Sequence, residues 1–279
     1  MFKKIGLVLL SFLMAISTAA NNFFNGDIYP YSSVDKVIGA QALMRSQGVT
    51  TDSEAWIFSG KSSLSRVSID DNSVLAQNLS PFDGLEEYGV DHIGGISCYG
   101  ESIFAALEDS KRWQSPMVAI YDKDSLEFTG RFVLLDTELM FRGCPWVCCD
   151  AERGLFYVAN SRQTTEIFCY DLESLEFLRS IPLVTELEKI QGAEMYEGYM
   201  LAATNDATRA VYKIDLDSGE SVKYFDRIMY QPRLIENFGG EGEDITVLPM
   251  ADGTVIHALD IGALFIDSNL RHYKPIEEN

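Results

Sequence analysis

The chain has 279 residues, of which 22 are Lys or Arg and 42 are Asp or Glu, so its formal charge at pH 7 is −20. This charge excludes proteins that coat nucleic acid or anionic lipid, because both tasks need Lys and Arg to neutralise phosphate. Hydrophobic residues make up 47% of the sequence, which excludes a mostly disordered chain and suffices for one large core or two small ones.

Residues 1–20 have the order of a secretory signal peptide. Lys3 and Lys4 precede an apolar run from Ile5 to Ile16, and small residues follow up to Ala20. The run is shorter than the roughly 20 residues that cross a bilayer as a helix, although an uncleaved membrane anchor is the alternative. We therefore predict an extracytoplasmic protein, periplasmic or secreted, with no membrane span after the signal is removed.

A fivefold repeat of about fifty residues fills most of the remaining chain. Each copy has a strand-like segment, then an apolar strand that ends in Asp, a few polar residues and a further strand. The segments are short and rich in β-branched and aromatic residues, which predicts strands and not helices. The repeated aspartates are Asp70, Asp122, Asp171, Asp215 and Asp267.

Four strands per repeat predict an all-β chain folded as a β-propeller of five blades, each with four antiparallel strands; six blades are possible. Each repeated Asp is expected to form an Asx turn between the third and fourth strands of its blade. Residues 47–279 form the predicted propeller domain. Residues 21–46 form an N-terminal segment that could supply a strand to close the ring against the last blade, or could be part of a degenerate sixth blade.

The cysteines do not predict a disulfide framework or a structural zinc site. There are five, at positions 98, 144, 148, 149 and 169, so at least one lacks an intramolecular partner. Cys148 and Cys149 could form a vicinal disulfide, but we favour two buried thiols on opposite faces of a strand. The paired CxxC spacing of a zinc site is absent.

The candidate site lies where the innermost strands begin, because those residues point toward the shared funnel of a propeller. The segments start near Gln47, Asp91, Gly143, Gln191 and Glu241. We expect a small-molecule or peptide ligand, or a protein partner, to bind there, and no nucleic acid. The predicted ligand-binding residues are Gln47, Trp146, Gln191 and Glu241.

Oxygen-bearing side chains in the same segments suit a calcium ion, which takes six to eight oxygen ligands. The predicted metal ligands are Glu194, Glu243, Asp244 and Asn160. The alternative is that these acids face solvent at the channel mouth, since no dense DxDxD loop is present. Either no cofactor or Ca²⁺ is therefore expected.

The catalytic candidates are His92 and Glu194. His92 stands beside Asp91, and a carboxylate can hold an imidazole as a general base; alternatively, His92 caps a turn or bonds across the channel. The GxSxG signature of serine hydrolases and the GxxxxGK[ST] phosphate loop are both absent.

The stretch SQGVTTDSEAWIFSGKSSLSRVSIDD at 46–71 resembles the opening blade of plant and bacterial glutaminyl-peptide cyclotransferases, which are secreted five-bladed propellers. The matching residues are Gln47-Gly48, Ser63-Leu64 and Ile69-Asp70. The resemblance covers about one blade well and the rest only as repeats. It implies an acid or base beside a pocket for an N-terminal glutamine.

The blade phrases are also similar to those of NHL-like and six-bladed secreted propellers, including calcium-dependent lactonases. That resemblance implies calcium held by Glu, Asn and Asp, for which Glu194, Asn160 and Asp244 are the counterparts here. Three functions follow as hypotheses: a binding module at the funnel, a cyclotransferase, and a calcium-dependent hydrolase.

Overall fold

Five antiparallel sheets of four strands stand in a ring, in a computed structural model that describes residues 29, 31–206, 209–227, 240–262 and 266–276. This arrangement confirms the predicted five-bladed β-propeller. The predicted signal peptide lies outside the described residues. No helix in the described ranges is long and apolar enough to cross a membrane.

The strands follow the chain, with one exception at the start. Strand β1 (Ser33–Ile38) comes first, followed by a short helix α1 (Ala40–Leu43). The first blade contains β2 (Gly48–Thr51), β3 (Ala55–Gly60), β4 (Ser63–Ser68) and β5 (Val74–Asn78). After a 3-10 turn at Glu86–Tyr88, the second blade contains β6 (His92–Tyr99), β7 (Ser102–Glu108), β8 (Met117–Asp122) and β9 (Phe128–Leu134).

The third blade contains β10 (Cys148–Asp150), β11 (Leu155–Val158), β12 (Thr164–Asp171) and β13 (Phe177–Leu187). The fourth contains β14 (Ile190–Tyr196), β15 (Tyr199–Thr204), β16 (Ala210–Ile214) and β17 (Ser221–Asp226). The fifth contains β18 (Glu241–Val247), β19 (Ile256–Ile261) and β20 (Asp267–Tyr273). In each blade the first of these strands is innermost, next to the central channel.

The fourth strand of the fifth blade is β1, which comes from the other end of the described chain. It pairs antiparallel with β20, and Val34 lies opposite Arg271 in the register. Lys36 Nζ also lies 3.0 Å from a carboxylate oxygen of Asp267. The ring is therefore closed inside one sheet by strands from both ends, and the outer edge of β20 is covered.

The repeated Asp forms the predicted turn in three blades. Oδ1 of Asp122, Asp171 and Asp215 accepts hydrogen bonds from the backbone N–H groups two and three residues further on. In the first blade Asp71, not Asp70, plays this part, with Oδ1 3.0 Å from the nitrogen of Ser73. The prediction is wrong for Asp267, because that residue begins the third strand of its blade.

The inner strands pack so closely that some positions require glycine. A Cβ on Gly94 would overlap the carbonyl oxygen of Pro145 on the third blade, and a Cβ on Gly192 would overlap Asp244 on the fifth. Between the blades, apolar side chains form separate clusters. Cys148 belongs to the cluster between the third and fourth blades, while Cys149 belongs to the one between the second and third. All five cysteines are free thiols.

Candidate functional site

One end of the ring opens into a cavity of about 870 Å³. Residues at the starts of the inner strands and in the loops between second and third strands meet there, because antiparallel strands return these loops to the same face. The lining residues come from all five blades: Gln47, His92, Gly94, Glu108, Ser110, Trp113, Arg142, Pro145, Ser161, Arg162, Lys189, Gln191, Asn205, Asp206, Glu241 and Glu243.

Five of the residues singled out in the sequence line this cavity together. They are Gln47, His92, Gln191, Glu241 and Glu243. Each lies at or near the start of an inner strand, as the repeat predicts. The remaining candidates, Glu194, Asp244, Asn160 and Trp146, do not line the cavity.

His92 is held by two oxygen atoms, one on each side of its ring. Its Nδ1 lies 3.1 Å from Oε1 of Glu108, and its Nε2 lies 2.5 Å from Oε1 of Gln47. Gln47 donates its side-chain N–H to the carbonyl of Ser46, which turns the amide oxygen toward His92. Both partners present acceptor oxygens to the imidazole, and the tautomer decides which ring nitrogen donates.

The carboxylate beside His92 is Glu108, not Asp91. Neighbouring residues of an extended chain point to opposite sides, so Asp91 turns away. Its Oδ1 accepts hydrogen bonds from the backbone and the hydroxyl of Ser110. Glu108 is fixed as well, because its Oε2 accepts the backbone N–H of Cys144 at 3.0 Å.

The cavity has a basic side and an acidic side. Arg142 and Arg162 come from the third blade and Lys189 from the start of the fourth, and none of the three forms an ion pair with a described residue. Glu241 and Glu243 come from β18 of the fifth blade. The acidic Asp206 lies between the two sides, in the β15–β16 loop.

Glu243 is the most enclosed acid of the cavity. It is 4% exposed, and its carboxylate makes no hydrogen bond to a described residue. Burial raises the pKa of Glu243 well above its ordinary value, and the nearby Glu241 adds to this effect while the Arg227 guanidinium opposes it. The cavity therefore presents a deep carboxyl group with free hydrogen-bonding capacity.

Arg227 supports this acidic side from behind. It is fully buried, and its guanidinium donates to the carbonyl oxygens of Thr204 and Glu243 at 3.0 and 3.3 Å. A carboxylate oxygen of Asp260 lies 3.5 Å from it. These contacts fix the backbone of β18 at the point from which Glu241 and Glu243 project.

Asp244, predicted from the sequence as a metal ligand, does not line the cavity, and its carboxylate is bonded to the backbone of three inner strands. Its Oδ2 accepts the backbone N–H groups of Val49 and Ile96 at 3.0 and 3.1 Å, and its Oδ1 accepts that of Ile245 at 2.8 Å. Burial raises the pKa of Asp244 well above its ordinary value, and the three N–H donors oppose that rise. The side chain joins the inner strands of the first, second and fifth blades.

Glu194 lies further along β14, away from the cavity, so it is not close to His92. Its carboxylate accepts the backbone N–H of Met195 at 3.1 Å and the hydroxyl of Thr246 at 3.4 Å. Burial raises the pKa of Glu194 to about 7. The two predicted catalytic residues are therefore at different levels of the ring.

Asn160 and Trp146 have structural surroundings. Asn160 donates to the carbonyl of Leu139 at 2.6 Å and accepts the backbone N–H of Arg142 at 2.9 Å, so it fixes the loop that carries Arg142. Trp146 is fully buried in the apolar cluster between the third and fourth blades. The side chain of Trp146, which follows Pro145, therefore points into the blade interface and not into the funnel.

The predicted calcium ligands are not gathered in one place. Among the described residues, no group of three His, Cys, Asp or Glu side chains could hold a metal ion. Asn160 and Asp244 already use their oxygens for backbone N–H groups. A calcium site remains a prediction from the sequence.

One class of cavity residues was not predicted from the sequence. Glu108, Ser110, Trp113, Ser161, Arg162, Asn205 and Asp206 all lie at the end of a second strand or in the loop after it. These residues could have been predicted from the antiparallel order of the strands. In that order the loop between the second and third strands returns to the face where the first strand begins.

The fold and the cavity define a five-bladed β-propeller with a polar cavity at one end of its channel. No protein family model and no curated protein matches the sequence. Among solved structures, the chain is similar to the glutaminyl cyclase of Myxococcus xanthus, with a TM-score of 0.58 and 12% identity over 90% of this chain and 100% of that one. This similarity confirms the resemblance at the level of the fold.

Two further matches are weaker. Hydrazine synthase of Kuenenia stuttgartiensis has a TM-score of 0.48 and 15% identity over 80% of this chain and 57% of that one. A chain of the mitotic checkpoint complex has a TM-score of 0.44 and 9% identity over 82% of this chain and 63% of that one.

Proposed function

We propose that the protein binds a small ligand that carries both a positively and a negatively charged group, in the cavity at the end of its channel. The observation that carries this proposal is Glu243, a buried acid that faces the cavity without a hydrogen-bond partner among the described residues. The hydrogen-bond partners of a carboxyl group in this position come from the cavity, either from water or from a ligand. An amine of the ligand would supply that partner.

The basic side of the cavity supports the proposal that the ligand also carries a negatively charged group. Arg142, Arg162 and Lys189 form no ion pair with the described residues, although the chain as a whole has a large excess of acids. Three basic groups on one side of a cavity, without an ion pair in the described part of the chain, attract an anionic group such as a carboxylate. The volume of about 870 Å³ lies within the usual range for small-molecule sites.

The first experiment uses alanyl-alanine with free ends, its N-acetyl form and its C-amide form as probes in isothermal titration calorimetry. The free dipeptide is expected to bind at least about tenfold more tightly than either blocked form, equivalent to about 1.4 kcal/mol. If no probe binds, the proposed function is wrong for this class of ligand. Equal binding of all three would show a polar binding site without the proposed charge recognition.

Two variants test which residues bind the amine and the carboxylate of the ligand. Glu243→Gln is expected to remove the preference for a free amine, and Arg162→Gln the preference for a free carboxylate. The matched controls are Glu173→Gln and Arg179→Gln, which are exposed on the outer part of the third blade. Because the pKa of Glu243 is raised, binding of an ammonium group should release a proton, and titrations in two buffers of different ionisation enthalpy would detect it.

A second candidate function is acid–base catalysis on a bound peptide, as in a cyclotransferase. The contact between His92 and Glu108 at 3.1 Å favours it, because a carboxylate can orient an imidazole for proton transfer. A peptide with N-terminal glutamine, followed by mass spectrometry for loss of ammonia, tests this reaction. Loss of turnover in His92→Gln and Glu108→Gln would support it, and an unchanged peptide with the wild-type protein would exclude it.

A further inference from the structure

We propose that the closure of the propeller ring is sensitive to acid, through a cluster of His257, His272 and Asp35 that holds β1 against β20. The cluster lies in the fifth blade, apart from the cavity. It connects β19, β20 and β1 side by side, so it spans the junction where the two ends of the described chain meet. Protonation of this cluster is expected to loosen β1 while the other outer strands stay in place.

The two histidines share a proton. Their Nδ1 atoms lie 2.6 Å apart, and they occupy directly opposite positions on β19 and β20. At this separation one nitrogen must donate and the other accept. On its other side, Nε2 of His257 lies 2.8 Å from the carbonyl oxygen of Leu248 and is therefore the donor there. The neutral His257 then accepts at Nδ1, and His272 donates.

The second histidine connects this pair to the closing strand. Nε2 of His272 lies 3.5 Å from Oδ2 of Asp35 on β1, and Asn72 of the first blade donates to the same oxygen at 3.0 Å. The ring of Trp56, also from the first blade, lies with its centroid 4.8 Å from that of His257. The cluster therefore joins the last blade, the closing strand and the first blade.

Addition of a proton to His257 would disrupt this geometry. Both Nδ1 atoms would then carry hydrogen and would point at each other across 2.6 Å. Burial lowers the pKa of His257 to about 4, so the folded state favours its neutral form. The pKa of Asp35 is also lowered, with the hydrogen bond from His272 as the main cause.

The lowered pKa values of His257 and Asp35 both make the folded protein less stable as the pH falls. A group whose pKa is lower in the folded than in the unfolded state contributes stability above its unfolded pKa and loses it as the pH falls. For His257 this range runs from its ordinary value of 6.5 down to about 4. For Asp35 it begins at the ordinary value of 3.8 and extends below it. The closing strand is therefore expected to loosen between about pH 6 and pH 4.

The other charges around the cluster change the size of this effect but not its sign. Asp252, in the β18–β19 turn, favours a proton on His257, but burial has the larger effect. Lys274 lies near Asp252 and favours its ionised form. Arg45 faces Asp35 and favours its ionised form. The ion pair of Lys36 with Asp267 also connects β1 to β20.

Hydrogen exchange measured by mass spectrometry on the full protein tests this proposal at pH 7.0, 5.5 and 4.5, with rates corrected for intrinsic exchange. The protection of β1 is expected to fall at least about tenfold more than that of β9, an outer strand of another blade. A local measurement is required because Glu194, with its raised pKa, shifts global stability in the opposite direction. A parallel loss of protection in β1 and β9 would overturn the proposal.

Two variants and a control assign the effect. Asp35→Asn is expected to lower the protection of β1 at pH 7.0 and to remove most of its further loss in acid. His257→Gln should also remove the acid response. His92→Gln, a change at the third histidine of the chain, should leave the response unchanged. If β1 in both cluster variants responds to acid as in the wild-type protein, the cluster is not the cause.

Discussion

Single residues in the channel differ sharply in how much water they contact, and Glu194 shows the consequence. Its pKa of about 7 means that the folded protein keeps a proton that the unfolded chain releases above the ordinary value of 4.5. Stability therefore falls as the pH rises through this interval. The charge is unfavourable at alkaline pH because few groups near it can replace water.

Glu194→Gln is expected to stabilise the protein by about 1 to 2 kcal/mol at pH 8.5 and to have little effect at pH 5. A pKa shift is worth about 1.4 kcal/mol per pKa unit, and the expected gain is smaller than the full shift because the side chain of Glu194 is partly exposed. Urea denaturation at both pH values would check it, and an equal effect at both would contradict it. If Ca²⁺ stabilises the wild-type protein but not this variant, Glu194 is a metal ligand.

At residue scale, the sequence predicted five of the sixteen residues that line the cavity, and the reason is simple. Gln47, His92 and Gln191 were found because the repeat locates the start of each inner strand. Trp146 was assigned to the wrong side because a shift of one residue moves a side chain from the funnel to the blade interface. The repeat period specifies such positions only to within a residue or two.

At the scale of elements, the inner strands are limited by how closely they approach one another. Gly192 lies against Asp244 of the neighbouring inner strand, with no room for a Cβ. By contrast, a Cβ on Gly130, in outer strand β9, would meet nothing within 4 Å. The need for glycine therefore comes from packing at the centre of the ring and not only from turns.

Gly192→Ala is expected to destabilise the protein by at least about 3 kcal/mol, because the added methyl group overlaps backbone and carboxylate atoms. Gly130→Ala is the control and should cost about 1 kcal/mol, since its positive φ of 82° is unfavourable for alanine. Chemical denaturation of both variants gives the comparison. Similar losses in the two would show that close packing at the centre is unimportant.

The strands were largely predictable from the sequence, and the exception is in the fifth copy of the repeat. Short apolar segments bounded by turn residues specified the strands of the first four blades. In the fifth copy, Asp267 begins a strand instead of ending one, because the blade takes its fourth strand from β1. The spacing of the five copies did not show this exchange, although the residues left before the first copy indicated that residues 21–46 could supply a closing strand.

At the scale of the whole molecule, Asp244 connects parts of the ring that are far apart in sequence. One carboxylate bonds to the backbone of β2, β6 and β18, and so to the first, second and fifth blades. These N–H groups lie on inner strands, where water does not replace a lost partner. The side chain is therefore expected to contribute to the cooperativity of unfolding.

Asp244→Ala should destabilise the protein by about 3 to 5 kcal/mol, because it leaves three buried N–H groups without an acceptor. Asp244→Asn keeps one acceptor oxygen and should cost less, about 1 to 3 kcal/mol. Urea denaturation followed by tryptophan fluorescence measures both. A loss below about 1 kcal/mol in the alanine variant would show that the three bonds do not stabilise the ring.

The pairing of β1 with β20 also has a consequence for biosynthesis. Strand β1 is synthesised before the other strands of the described chain, whereas its partner β20 is synthesised after all of them. Until then β1 has no edge to pair with, and the outer side of the last sheet does not exist. The ring can therefore close only after β20 has been synthesised, in a slow step set by contacts between segments that are distant in the sequence.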